Sequence, residues 1–147
     1  MGIASLYVED EDVFVVVWDG SVSGEEWARV VDEQLNDDPA WPRGRRRLID
    51  VTTFDPSELT ADDIAAVIAS ARERIHTVAG RRQGVVAAHA WDLAREFAER
   101  STALGAMTIV FDRLDDACAW LHVDPAVVRP VVVQLRSELR ATDRRKA

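Results

Sequence analysis

Short apolar runs alternate with amphipathic segments along most of the chain, and this alternation constrains the fold more than any other feature. Residues 6–8 and 13–18 are separated by EDED, which is typical of an antiparallel hairpin. Three further runs, RLIDV, GVVAAHA and MTIVFD, each follow a helical segment. Strands that follow helices are most simply parallel. The pattern predicts an α/β fold, with a central mixed four- to five-stranded sheet, an N-terminal hairpin and packed helices.

The starts of two helices are specified by their sequences. Ser23 and Glu26 have the spacing of a capping box, and so do Thr60 and Asp63. After Thr60, an apolar stripe at helical spacing predicts a buried face; its members are Ile64, Val67, Ile68, Ala71 and Ile75. Asp92 and Asp112 are expected to cap the next two helices.

The segment beyond His122 predicts an added helix, so we divide the chain into a domain at 1–122 and a helical extension at 123–147. Asp124 and Pro125 have the order of a cap and a first helical residue, and Pro130 is expected to kink or restart the helix. The expected apolar face contains Val128, Val131, Val132, Leu135 and Leu139. This face is a candidate for self-association or for covering the sheet.

The charge of the chain argues against several classes of partner. A net charge of −8 repels phosphate backbones, so no nucleic acid partner is expected. We expect the arginines at 43 and 45–47 and the terminal DRRKA to be solvated. No apolar run approaches the ~20 residues of a membrane span, and the amino terminus lacks a basic signal region. The sequence therefore predicts a cytoplasmic protein with no integral membrane segment.

Cysteine and histidine give no sign of a metal or redox site. The single cysteine, Cys118, alternates with small apolar residues and is expected to be buried. His76, His89 and His122 are far apart in sequence and lack the paired spacings of zinc ligands. We expect no metal and no cofactor.

Several stretches together resemble the SpoIIAA-like group of STAS domains. These are WDGSVSGEEW, RRLIDVTTFDP, GVVAAHAWDLAREF and TIVFDRLDDACAWL, and the resemblance covers about residues 5–122. Such domains resemble anti-sigma-factor antagonists and the cytoplasmic domains of sulfate transporters. The resemblance implies a non-catalytic regulatory module that binds a protein partner and is often a homodimer.

The same resemblance implies a phosphoacceptor in the turn after the central strand. The corresponding turn, TTFDPSELTADD, offers Ser57 and Thr60 but lacks the DSSG-like motif of the regulatory branch. Both residues are also ordinary turn and cap residues, and the acidic neighbours Asp55 and Glu58 would repel a phosphate. The switch and the purely structural interpretation both stay open.

A second hypothesis is a pocket for a small apolar or lipid-like ligand at the carboxyl ends of the strands, where open α/β sheets place their clefts. The candidate residues are Trp18, Asp50, Thr52, His89 and Trp91. Trp18 and Trp91 either line such a pocket or only cap the core. Trp27 and Trp120 are expected in the core, and Trp41 over a loop. Because no spacing supports a catalytic grouping of Asp50, Thr52 and His89, we predict that the protein is not an enzyme.

Overall fold

The computed structural model describes residues 2–37, 46–74 and 79–146, which form one five-stranded mixed sheet with helices on both faces. The strands are β1 (Gly2–Val8), β2 (Val13–Ser21), β3 (Arg46–Asp55), β4 (Arg82–Val86) and β5 (Met107–Phe111). The helices are α1 (Gly24–Asp37), α2 (Ala61–Arg72), α3 (Trp91–Ala103), α4 (Leu114–Leu121) and α5 (Pro125–Lys146). The predicted α/β fold, its hairpin and its extra C-terminal helix are confirmed.

The strands lie in the sheet in their order along the chain, with β1 antiparallel to β2 and all other neighbours parallel. Because each crossover moves one strand in the same direction and has the same hand, α1, α2 and α3 lie on one face. We call this the α1–α3 face. The two helices after the last strand cover the opposite side, the α4–α5 face.

Strand β2 lies between two hydrophobic clusters, which explains its nearly unbroken apolar sequence. Val13, Val15 and Val17 point to the α4–α5 face. Phe14 and Trp18 alternate with them and point to the α1–α3 face.

The capping box of α2 is present as predicted. The Thr60 hydroxyl accepts from the Asp63 backbone N–H at 3.3 Å, and the Asp63 carboxylate accepts from the Thr60 N–H at 2.9 Å. At α1, the Ser23 hydroxyl accepts from the Glu26 N–H at 3.1 Å. These bonds satisfy backbone donors that have no partner within the helix.

The two aspartates predicted to cap the later helices do not do so. Helix α3 begins at Trp91, so Asp92 lies inside its first turn, and Ala90 is the N-cap residue without a side-chain bond. Helix α4 begins at Leu114 after Arg113, which leaves Asp112 outside the helix. An acidic residue in a first turn still interacts favourably with the helix dipole. From the sequence alone, an aspartate in the first turn of a helix is therefore easily mistaken for its N-cap.

Two strand ends differ from the prediction. Strand β3 continues to Asp55 instead of ending near Val51, and its register against β2 shifts between Val17 and Asp19. This irregularity adds a residue to β3 and allows the strand to continue past its apolar part. Strand β4 is shorter than predicted because it ends at Val86, so His89 lies in the turn that follows.

The C-terminal helix covers the sheet. Asp124 accepts a hydrogen bond from the Ala126 N–H at 2.9 Å, as expected of its cap. The predicted restart at Pro130 is wrong, because α5 continues through this residue. Its predicted apolar residues join the cluster under β1 and β2; they are Val128, Val131, Val132, Leu135 and Leu139. Packing of this face outweighs the local cost of a proline.

Some sequence predictions fall outside the described residues. They concern Trp41, Arg43, Arg45, Ile75 and His76. Among the helices that the structure does describe, none is both long enough and apolar enough to cross a bilayer.

Candidate ligand cavity

A cavity of about 110 Å³ lies between the sheet and the helices of the α1–α3 face. Its floor is formed by side chains of the central strands, including Val16, Ile49 and Val85, and helix residues such as Ile68 and Phe97 form its roof. Most of its lining is apolar. The cavity therefore lies within the larger of the two hydrophobic clusters.

Aromatic rings form the wall of the cavity near the carboxyl end of β2. Trp18 packs edge-on against Trp27, with centroids 5.2 Å apart, and against Phe54 at 5.1 Å. Trp27 in turn lies 5.9 Å from Phe97. Edge-to-face packing is a favourable arrangement of aromatic rings. The predicted core position of Trp27 is confirmed, since it is 6% exposed.

A row of polar side chains crosses the sheet at the opposite end of the cavity. Arg47, Gln83 and Thr108 are neighbours in register on β3, β4 and β5. The Arg47 Nη1 donates to the Gln83 Oε1 at 3.4 Å, and the Gln83 Nε2 donates to the Thr108 hydroxyl at 3.0 Å. The row lies near the amino ends of the parallel strands, away from the aromatic wall.

Arg47 connects this row to the helices. Its Nη2 donates to the Gln34 Oε1 of α1 at 2.7 Å, and its guanidinium lies 5.9 Å from the centroid of the Phe14 ring. Arg47 is 9% exposed and Arg81, which also lines the cavity, is 4% exposed. The expectation of a solvated basic segment is therefore wrong for Arg47. The strand alternation places Arg47 on the same face as Ile49.

Arg46, the neighbour of Arg47, is also structural and half-buried. Its side chain donates to the carbonyls of Leu121 at 2.9 Å and His122 at 3.2 Å, and to the carbonyl of Glu11. It thus ties the hairpin turn to the end of α4. The expectation of a solvated basic segment is therefore wrong for Arg46 as well.

A charged network occupies the carboxyl ends of β2 and β3 on the α4–α5 face. Arg136 donates to Asp50 at 3.0 Å and to Thr53 at 3.0 Å. Arg140 donates to both carboxylate oxygens of Asp19 at 3.1 Å, and Thr53 donates to Asp19 at 2.6 Å. These bonds hold the second half of α5 against the sheet.

The environment of Asp19 shifts its acidity in opposing directions. Burial raises the pKa of this carboxyl. The hydrogen bonds and charge of Arg140 and the bond from Thr53 lower the pKa, and together they outweigh burial, so the pKa lies below its ordinary value. Asp19 is therefore held as a carboxylate, and its charge is compensated by the arginine.

The five residues predicted to line one pocket are divided between different sites. Trp18 lines the cavity on the α1–α3 face. Asp50 and Thr52 lie on the opposite face, where Arg136 donates to both side chains. His89 is exposed and its Nε2 lies 2.7 Å from the Phe54 carbonyl, while the Trp91 indole donates to Ala88 at 3.0 Å. Residues at the carboxyl ends of neighbouring strands can therefore lie on opposite faces of the sheet.

The two candidate phosphoacceptors are both exposed. The Ser57 N–H donates to the Asp55 carboxylate at 3.0 Å, and bonds from Ser57 lower the pKa of Asp55. The Thr60 hydroxyl takes part in the capping box of α2. A phosphate at Thr60 would remove this cap, whereas one at Ser57 would stand next to the Asp55 carboxylate.

Cys118 is fully buried in the cluster on the α4–α5 face, as predicted. Burial, with the nearby charge of Asp115, raises the pKa of its thiol to about 11. The group is therefore a thiol at neutral pH and a poor nucleophile. Within residues 2–37, 46–74 and 79–146, no three His, Cys, Asp or Glu side chains come together as metal ligands would.

Comparison of the chain with protein-family models and with curated proteins found no match.

The polar row of the cavity and the arginines of α5 were not identified from the sequence. Strand alternation within RRLIDV was the available signal for Arg47, since it shares parity with Ile49 and Val51. Arg136 and Arg140 are four residues apart, which places them on one side of a helix. The sequence carries no signal that pairs them with Asp50 and Asp19.

Proposed function

We propose that this protein is a non-catalytic binding protein that takes a small, mainly apolar molecule into the cavity of the α1–α3 face. One observation carries this proposal: a cavity of about 110 Å³ with a mainly apolar lining lies between the sheet and the helices of the α1–α3 face. Protein interiors seldom leave such space unfilled. An engineered apolar cavity of about 150 Å³ binds benzene or xenon. The ligand should therefore have only a few non-hydrogen atoms.

The polar groups near the cavity support binding over catalysis. Among the described residues that line it, the polar side chains are Gln34, Arg47, Arg81, Gln83 and Ser101. The carboxylate of Asp50 and the hydroxyl of Thr52 are on the other face, bonded to Arg136. A general base paired with a nucleophile is the arrangement expected of an acyl- or proton-transfer site. The lining residues do not provide this pair.

The test is a titration of the protein with benzene, followed by the tryptophan emission and by calorimetry. We expect saturable binding, because Trp18 and Trp27 line the cavity. The variant Ala94→Leu places a larger side chain from α3 into the cavity and should abolish binding. Ala98→Leu adds the same volume on the same helix at a half-buried position outside the described lining, and it should bind normally. Absence of saturable binding by the wild-type protein would contradict the proposal.

A second candidate function is regulation through a protein partner, as the STAS-like resemblance implies. It is supported by Ser57, which is exposed in the turn between β3 and α2. With this candidate we also propose a homodimer in the cytoplasm. Incorporation of phosphate by a cognate kinase, lost in Ser57→Ala and retained in Thr60→Ser, would support it. Phosphorylation that does not depend on Ser57 would contradict this assignment.

A further inference from the structure

We propose that the ligand of the cavity is a small neutral molecule with a single hydroxyl or carbonyl group, and that this group forms a hydrogen bond with Ser101. This inference rests on the proposed function and adds the chemical class and the orientation of the ligand. The oxygen of the ligand would lie at Ser101, near the end of α3. Its hydrocarbon body would extend along the floor of the cavity toward Trp18.

The first argument is the position of Ser101 on α3. All residues of this helix are described, and those that line the cavity are Leu93, Ala94, Phe97 and Ser101. Ser101 is the polar member of this set and is only 2% exposed. A buried hydroxyl costs free energy unless it forms a hydrogen bond, whereas an apolar side chain at the same place would not. A serine here therefore indicates a partner for its hydroxyl.

The second argument is the hydrogen bonding of this hydroxyl. Inside a helix, a serine or threonine hydroxyl can donate to the backbone carbonyl four residues earlier. The neighbouring Thr102 does so, toward the Ala98 carbonyl at 2.8 Å. The Ser101 hydroxyl, by contrast, forms no hydrogen bond with any described residue, including Phe97 four residues earlier. It is therefore available to a molecule that enters the cavity.

The third argument is the change of polarity along the cavity. Helix α3 ends beside the start of β5, where the Ala106 N–H donates to the Ser101 carbonyl at 3.1 Å. Thr108 of the polar row lies two residues further along this strand. Ser101 is therefore at the polar end of the cavity, and the aromatic wall at Trp18 is at the other end. A ligand with one oxygen on a hydrocarbon body matches this division.

The size and the lining of the cavity limit the ligand further. A volume of about 110 Å³ admits a short chain or one ring, far below the ~300 Å³ and more of pockets for drug-sized ligands. An ionised group would need several bonds to compensate for its burial in a mainly apolar space. A neutral oxygen needs only the bond that the Ser101 hydroxyl supplies.

The test compares phenol with toluene, two single-ring probes of nearly the same shape that differ by a hydroxyl in place of a methyl group. Dissociation constants are measured at pH 7, where both probes are neutral, by NMR titration of the uniformly 15N-labelled protein. We expect both probes to bind to the wild-type protein. Ser101→Ala should weaken the binding of phenol by about tenfold, as loss of one hydrogen bond would, and change that of toluene by less than about twofold.

Thr102→Val is the matched control, because it removes a hydroxyl from the next residue of the same helix, which is exposed and outside the described lining. It should leave both dissociation constants unchanged. The hydroxyl assignment would be overturned if Ser101→Ala weakened both probes equally, if it left phenol unaffected, or if the two variants weakened phenol alike. Binding of toluene without phenol by the wild-type protein would also overturn it and leave the proposed function standing. Binding of neither probe would overturn both.

Discussion

The two faces of the sheet are built from the same strands but differ in how closely their side chains pack. On the α4–α5 face, valines and leucines close against α4 and α5, and ion pairs hold the end of α5 in place. On the α1–α3 face, large aromatic rings and three helices leave about 110 Å³ open. The first arrangement is that of a structural core. The second has the space of a binding site.

The placement of charge follows the same division. The carboxylates of Asp19 and Asp50 are compensated by Arg136 and Arg140 on the closed face. On the open face, Arg47 bonds to the neutral amides of Gln34 and Gln83.

The largest expected effect tests how closely each face is packed. Leu121→Ala deletes a fully buried side chain of the closed face, and we expect it to lower the free energy of unfolding by about 2–5 kcal/mol. Ile68→Ala deletes a side chain that already borders the cavity and loses fewer contacts, so its cost should be smaller. Urea denaturation of both variants measures the difference. A larger cost for Ile68→Ala would break the comparison.

Enlarging a side chain tests the same difference in packing between the two faces. Ala117→Leu inserts a larger side chain into the closed face, where Ala117 is fully buried against β4, and should cost about 1–3 kcal/mol. Ala94→Leu inserts the same volume beside the cavity and should leave the thermal midpoint nearly unchanged. Calorimetric melting compares the two variants. Equal destabilisation would mean that the cavity does not accept a side chain.

A smaller effect concerns the start of α2, which covers the cavity. Thr60→Ala removes the hydroxyl of the capping box and should lower the free energy of unfolding by about 1 kcal/mol. Hydrogen exchange should become faster in the first turn of α2, with little change in α5. Ser57→Ala, in the same exposed segment, is the control and should have almost no effect. If Thr60→Ala left stability unchanged but abolished a cellular activity, the structural role of Thr60 would be wrong.

The smallest expected effect is a pH-dependent change in stability at the Asp19–Arg140 pair of the α4–α5 face. The folded state lowers the pKa of Asp19, so its bond with Arg140 stabilises the protein fully above about pH 4 and less as pH falls through the lowered pKa. Arg140→Met should therefore be less stable than wild type at neutral pH, with a difference that shrinks in acid. Since Arg140 is half exposed, water screening keeps the effect below that of Thr60→Ala.

Chemical denaturation at several pH values measures this difference. Arg29→Met removes an exposed arginine that pairs with Glu33 on α1, and it should change stability less. A stability difference for Arg140→Met that grows as the pH falls would contradict the role assigned to the pair.

Most of the fold was predictable because each element follows from local rules. The Thr60 capping box and the alternation in β2 decide structure within a few residues. The site was less predictable because it depends on which face a residue occupies. Alternation with Ile49 and Val51 places Asp50 and Thr52 on the opposite face of the sheet from Trp18. No local pattern shows that α5 supplies Arg136 to Asp50, 86 residues away along the chain.

The most direct test of the open face is a crystal structure determined under xenon pressure. Xenon binds to empty apolar cavities without specific contacts, so it reports space alone. We predict xenon density between the sheet and α1–α3, next to Trp18 and Ile68, and none between the sheet and α4–α5. The absence of xenon from the α1–α3 face, or its presence only on the α4–α5 face, would contradict the account.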